Sequence, residues 1–100
     1  MTHSFLEFVV DQLHELPDVE SRRMFGGFGL YAGGSFFGIV YDDRLYFKTD
    51  ETSATNYVVR GMRSFQPNER QTLRNYYEVP PDIVDDRDEL AEWAIRALGV

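Results

Sequence analysis

Arg23-Met24-Phe25-Gly26-Gly27-Phe28-Gly29-Leu30-Tyr31 places three glycines and three aromatic rings in nine residues. Gly27-Phe28-Gly29-Leu30-Tyr31-Ala32 has the spacing G-x-G-x-x-A of a dinucleotide-binding turn. That turn works only between a strand and a helix, where the helix N-terminus meets the pyrophosphate. Here Gly33-Gly34 follows and breaks any helix within one turn. Beyond it, Ser35-Phe36-Phe37-Gly38-Ile39-Val40-Tyr41 has the aromatic and β-branched composition of a strand. Asp50 lies near the place of the ribose-binding acid, but without the helix it has no such role to play. The glycines therefore read as sheet elements, permitting positive φ, a bulge or close strand approach. No cofactor is expected.

The pattern on either side of this block predicts an α+β domain. Ser4-Phe5-Leu6-Glu7 has the form of a capping box, and Phe5, Phe8, Val9, Leu13 and Leu16 recur at helical spacing up to Leu16-Pro17. Short strands are predicted over 21–25, 28–32, 36–41 and 44–48. Gly33-Gly34 and Asp42-Asp43 supply the turns, and Leu45 and Phe47 share a face. A second helix runs from a Thr49 or Asp50 cap to about Arg60, with Gly61 just past its end. Strands over 63–66 and 73–79 flank a Pro67-Asn68-Glu69-Arg70 turn. The last helix follows Pro80-Pro81 from an Asp82 or Asp85 cap and buries Leu90, Trp93, Ala94 and Ala97. The expected order is α, three or four β, α, two β, α: an antiparallel sheet of five to six strands with three helices in one domain over 1–100.

Composition bounds the chemistry. The chain has 100 residues, 43% hydrophobic and 15% aromatic, enough for a core without staples. It has no cysteine, which excludes disulfides, thiol catalysis and thiolate metal sites. The start, Met1-Thr2-His3-Ser4, lacks the basic region of a signal peptide, and no apolar run nears the roughly 20 residues of a membrane span. A cytoplasmic location is expected, with no membrane partner. Net charge is −7, distributed as −5 over residues 1–21, +3 over 22–74 and −5 over 75–100. The acidic total opposes tight nucleic-acid binding, while the basic middle suits an acidic partner or the acidic ends of a second copy.

No catalytic constellation emerges. His3 and His14 lack metal partners at ligand spacing, and Asp42-Asp43 and Asp85-Asp86 read as a turn and a helix start. No nucleophile elbow or calcium loop is present. An enzyme is not expected, and catalytic, cofactor and metal residues are none. Lys48 is the only lysine and stands at a strand end. Tyr76-Tyr77 on a strand puts one ring inward and one outward, the outward one either covering the sheet or marking an interface. Arginines among aromatics (Arg22, Arg23 and Arg44 with Phe25, Phe28, Tyr31, Phe36, Tyr41 and Tyr46) also form the pattern of a single-strand nucleic-acid binder, here a weak one.

These residues together resemble a family. Arg23-Met24-Phe25-Gly26-Gly27-x-Gly29-Leu30-Tyr31 leads the match. Phe37-Gly38-Ile39-Val40, Leu45-Tyr46-Phe47-Lys48-Thr49-Asp50, Tyr76-Tyr77-Glu78-Val79-Pro80 and the Trp93 helix follow in order. The chain is similar over essentially its whole length to the N-terminal domain of the TfoX/Sxy regulators of bacterial DNA uptake. The resemblance implies an α+β layout like that of type III secretion chaperones, and a non-enzymatic regulatory domain that binds a protein partner, with pairing of two copies permitted. Full-length regulators of that family carry a further helical C-terminal domain, whereas this chain stops at Gly99-Val100, either as a stand-alone protein or as part of a longer one. The residues carrying the motif or an interaction surface are Arg22, Arg23, Phe25, Gly26, Gly27, Gly29, Tyr31, Arg44, Lys48 and Tyr77. The alternative is a small-ligand-binding domain with a pocket between the sheet and the first or last helix.

Overall fold

A computed structural model describes residues 3–24 and 26–100. The chain forms α1 (Ser4–Gln12), β1 (Val19–Met24), β2 (Gly27–Ala32), β3 (Ser35–Tyr41), β4 (Arg44–Lys48), α2 (Glu51–Val58), β5 (Ser64–Asn68), β6 (Gln71–Glu78), α3 (Pro81–Asp85) and α4 (Arg87–Leu98). All six strands belong to one antiparallel sheet in the order β1-β2-β3-β4-β6-β5. The expected α+β class holds, and the six strands lie within the expected five to six.

Turn chemistry explains the first four strands. Gly33 and Gly34 have φ of 56° and 84°, and Asp42 and Asp43 have φ of 51° and 57°. Two successive left-handed residues make the tight turn whose twist matches a two-strand hairpin. Glycine enters that region freely, and aspartate is one of the few other residues that tolerates it. Both hairpins are thus fixed locally. β6 is different. It folds back along β5 and docks its other edge on β4, where the Thr49 N–H and hydroxyl both donate to the Asn75 carbonyl.

The helices cover one face of the sheet. Val9, Leu13 and Leu16 from the α1 segment and Leu90, Ala91, Ala94 and Ala97 from α4 meet Leu30, Phe37, Val40, Leu45 and Phe47. β3 serves this core through an irregularity. Leu30 pairs with Gly38 and Tyr31 with Phe36, so Phe37 is an extra residue. The bulge turns Phe37 to the helical side, 5.7 Å from Phe47 ring to ring, while Phe36 stays on the other side. Gly38, opposite Phe47, lacks the Cβ that would crowd that ring at 3.1 Å.

Several helix boundaries differ from the sequence reading. His3, not Ser4, is the N-cap of α1 and makes no side-chain cap bond, so the expected Ser4–Glu7 box does not form. α1 ends at Gln12, because Leu13 shares its N–H between Val9 and Val10 and the next residues turn. Phe8 is 40% exposed, off the buried stripe. Four helices replace the expected three. Pro81 opens the short α3, and Asp86, rather than Asp82 or Asp85, caps α4 by accepting from the Glu89 N–H. α2 follows expectation. Asp50 and Ser53 cap each other reciprocally, and Gly61, φ 76°, follows the last turn, with Met62 bonded back to Tyr57. Pro67 and Asn68 belong to β5, leaving Glu69-Arg70 as the turn. Proline is tolerated there because β5 is a sheet edge.

Candidate interaction surface

The sheet has a second face, which is aromatic, and among the described residues its apolar cluster is made of strand side chains alone. Ile39, Tyr46, Phe65 and Tyr76 are buried there, with Phe36, Tyr41 and Leu73 half-buried around them. Two ring chains organise it. Tyr31, Phe36 and Tyr76 stack at 5.1 Å for each successive pair. Tyr41 and Tyr46 both meet Phe65 edge-on, at 5.4 and 4.9 Å. Such pairs hold through ring quadrupoles as well as area, worth about 0.5–1.5 kcal/mol each beyond burial.

Gly29 makes room for this layer. A Cβ there would meet the Met24 sulfur at 2.5 Å and the Phe36 and Tyr31 rings at 3.2 Å. Gly27 lies at the end of β2, where a Cβ would run into the Val40 carbonyl oxygen. Gly26 needs its freedom for a different reason, a φ of 79°. The motif glycines thus divide into one conformational and two steric roles. Gly27–Ala32 is a strand flanked by strands, as its rejection as a nucleotide turn required.

Two arginines border the aromatic face. The Arg22 guanidinium lies 4.6 Å above the Tyr31 ring and 3.8 Å from the Glu20 carboxylate. Arg44 pairs with Glu78 at 3.8 Å beside Tyr46. Both ion pairs involve well-exposed arginines and add little stability. They do hold positive charge at the rim. Inside, burial raises the Tyr46 phenol above its ordinary range, with the Glu78 carboxylate adding and Arg44 opposing. Burial, with Tyr31 adding, pushes Tyr76 up to about 12.

The other motif residues are not gathered here. Arg23 turns to the opposite side, 5.9 Å over Phe28, which packs against the helical core. Tyr77 also faces the helices, 5.8 Å from Tyr57, so Tyr76 is the tyrosine of the helix-free face. Lys48 lines a small crevice with Tyr57, Trp93 and Arg96. Phe25 lies outside the described residues. Gly26 and Gly27 border a cleft of about 300 Å³ shared with Phe5, Phe28, Asp42 and Asp43, whose acids suit it poorly to phosphate. Among the described residues, no group of three or more His, Cys, Asp or Glu is placed to hold a metal ion. None of their helices is long and apolar enough to cross a membrane. Phe65 and Leu73, central to the aromatic face, carry no motif, and only alternation along β5 and β6 could have marked them.

The family model of the TfoX N-terminal domain matches residues 11–100. The chain belongs to that family. The match takes in the glycine block, all six strands and three of the four helices whole. Among curated proteins the comparison finds no match. In this TfoX N-terminal domain the glycine-aromatic signature marks the strand that gives Tyr31 to the first ring chain and Leu30 to the helical core.

Proposed function

We propose that this TfoX N-terminal domain is a non-enzymatic regulatory module, acting in the cytoplasm on DNA uptake and transcription, and that it works by binding another protein. The observation that carries the reading is the helix-free sheet face. Its rim rings Tyr31, Phe36 and Tyr41 are only half-buried and are bordered by Arg22 and Arg44. Aromatic residues and arginine are the types enriched where proteins meet. The partner that fits presents a carboxylate beside an apolar segment, since each guanidinium already holds an acid in just that position. Direct nucleic-acid binding fits less well, because most rings stack on one another and are not free to stack on bases.

The test is capture from a bacterial lysate with the wild type and with Arg22→Glu/Arg44→Glu. Specific partners of the wild type are expected to be lost from the variant. An unchanged set of partners removes the basic rim from the reading.

A further inference from the structure

We propose that two copies of this chain join through their β1 strands, antiparallel and centred on Ser21, into one continuous sheet. This goes beyond the regulatory reading and does not rest on it.

Among the described residues β1 is the end of the sheet and pairs with β2 alone. Its outward-facing backbone groups follow from the hairpins. In a two-residue hairpin the residues flanking the turn form a hydrogen-bonded pair. Ala32 and Ser35 flank Gly33-Gly34, so Ala32 bonds toward β3. By alternation Tyr31, Gly29 and Gly27 bond toward β1, and their partners are Glu20, Arg22 and Met24. The Gly33 N–H to Asp18 carbonyl bond, 3.1 Å, agrees with this phase. Val19, Ser21 and Arg23 are left with N–H and C=O turned away from the sheet. Residues 20–23 are exposed.

Self-pairing across a two-fold axis is isologous. An axis normal to the sheet keeps each face on its own side. Outward groups then meet outward groups only when the axis passes through a residue, never between two. Six such registers exist along Val19–Met24, and charge separates them. An axis at Arg22 or Arg23 sets arginine against arginine. One at Glu20 sets glutamate against glutamate, although it also brings Asp18, outside β1 and at φ 57°, opposite Arg22. One at Val19 sets Asp18 against Glu20, and one at Met24 opposes no charges within β1. The axis at Ser21 alone opposes unlike charges with no like pair. It pairs Ser21 with Ser21, Val19 with Arg23, and Glu20 of each copy with Arg22 of the other.

The two Glu20–Arg22 pairs fall in the non-hydrogen-bonded positions, where opposed side chains come closest. Both side chains are on the aromatic side of the sheet, where Arg22 is already held over Tyr31 and within 3.8 Å of its own Glu20. The four charges would alternate in sign across the seam. Charged edges usually keep sheets apart. This edge sets like charges together in four of the other five registers and is self-complementary in one.

The test is self-association, followed by sedimentation equilibrium across a concentration series with thermal unfolding as the folding control. Ser21→Pro removes two central hydrogen bonds while leaving the β1–β2 ladder intact, since the Ser21 N–H does not face β2. Its dissociation constant is expected to rise about tenfold or more. Glu20→Arg and Arg22→Glu are each expected to weaken pairing to a similar degree, by setting like charges in both pairs. Mixed one to one, these two variants restore both unlike pairs, and a heterodimer of near wild-type affinity is expected. A wild type that stays monomeric at all concentrations overturns the proposal. So does a dimer that survives Ser21→Pro in a folded protein, or a mixture that fails to recover. The mixed pair decides the matter even if Ser21→Pro does not fold. Ser21→Pro keeps every arginine, so a partner lost with the Arg22→Glu/Arg44→Glu variant but retained by Ser21→Pro separates this interface from the proposed partner surface.

Discussion

Replacing Gly27 with alanine probes the closest approach in the sheet. The residue does not have positive φ, so alanine is conformationally acceptable there. Space is the difficulty. The new Cβ would meet the Val40 carbonyl oxygen and, at 3.2 Å, both the Tyr41 Cα and its ring. Two of those three neighbours are backbone, in a strand paired on both sides. They yield only if β2 and β3 separate locally. Overpacking of this kind costs about 1–3 kcal/mol, and we expect the upper end because the backbone must move. The smaller entropy of the unfolded alanine chain offsets about 0.4–1 kcal/mol. A net loss of about 2 kcal/mol should lower Tm by roughly 8–16 °C in a domain of this size. Gly29→Ala is the matched control. Its Cβ meets the end of the flexible Met24 side chain first, so the loss should stay under about 1 kcal/mol and shrink further with Met24→Ala. Urea unfolding followed by circular dichroism measures both variants. If Gly27→Ala is no less stable than Gly29→Ala, the steric account of the motif is wrong.

Two further outcomes concern stability. Tyr76 is raised to about 12 in the folded chain from an ordinary value of 10.0, so the unfolded chain ionises first. Below pH 10 its contribution is fully present. It is lost as pH rises toward 12, at a slope approaching about 1.4 kcal/mol per pH unit. The urea midpoint of Tyr76→Phe should fall less steeply over that window than that of the wild type. Gln12 is buried, donates to the Val84 carbonyl at 3.0 Å and accepts from Arg87 at 3.3 Å. Gln12→Leu should cost about 1–3 kcal/mol in urea unfolding by leaving that carbonyl unpaired, whereas Asp11→Ala, which removes only an exposed ion pair with Arg87, should cost under about 1 kcal/mol.

The strands over 27–48 were readable in the sequence because their turns are local. Gly33-Gly34 and Asp42-Asp43 can hardly adopt another role between apolar runs, and Leu45 and Phe47 alternate cleanly. The reciprocal cap of Asp50 and Ser53 is equally local, and so was Asp50 as a cap. What escaped depends on distant partners. The Phe37 bulge answers the shape of Phe47 across the sheet, and nothing in Ser35–Tyr41 itself announces it. The placement of β6 between β4 and β5 joins segments separated by a helix and a strand. At the surface, arginines and glycines were legible as types, but their faces were not. Arg22 and Arg23 differ by one residue and by the whole thickness of the sheet. Tyr76 and Tyr77 divide in the same way.

The extra residue at Phe37 also bears on how this chain can change length. Upstream of it, β3 keeps one phase of alternation; downstream, the opposite phase. Removing Phe37 alone would close that offset and leave Tyr31–Phe36 and Leu30–Gly38 as successive regular pairs, keeping both halves of the strand on their present faces at the loss of one core ring. A residue added at Glu69-Arg70 displaces no pairing. The sheet thus has two places, the bulge and this turn, where the chain can change by one residue without turning a strand over, and only the change at the bulge takes a ring out of the core.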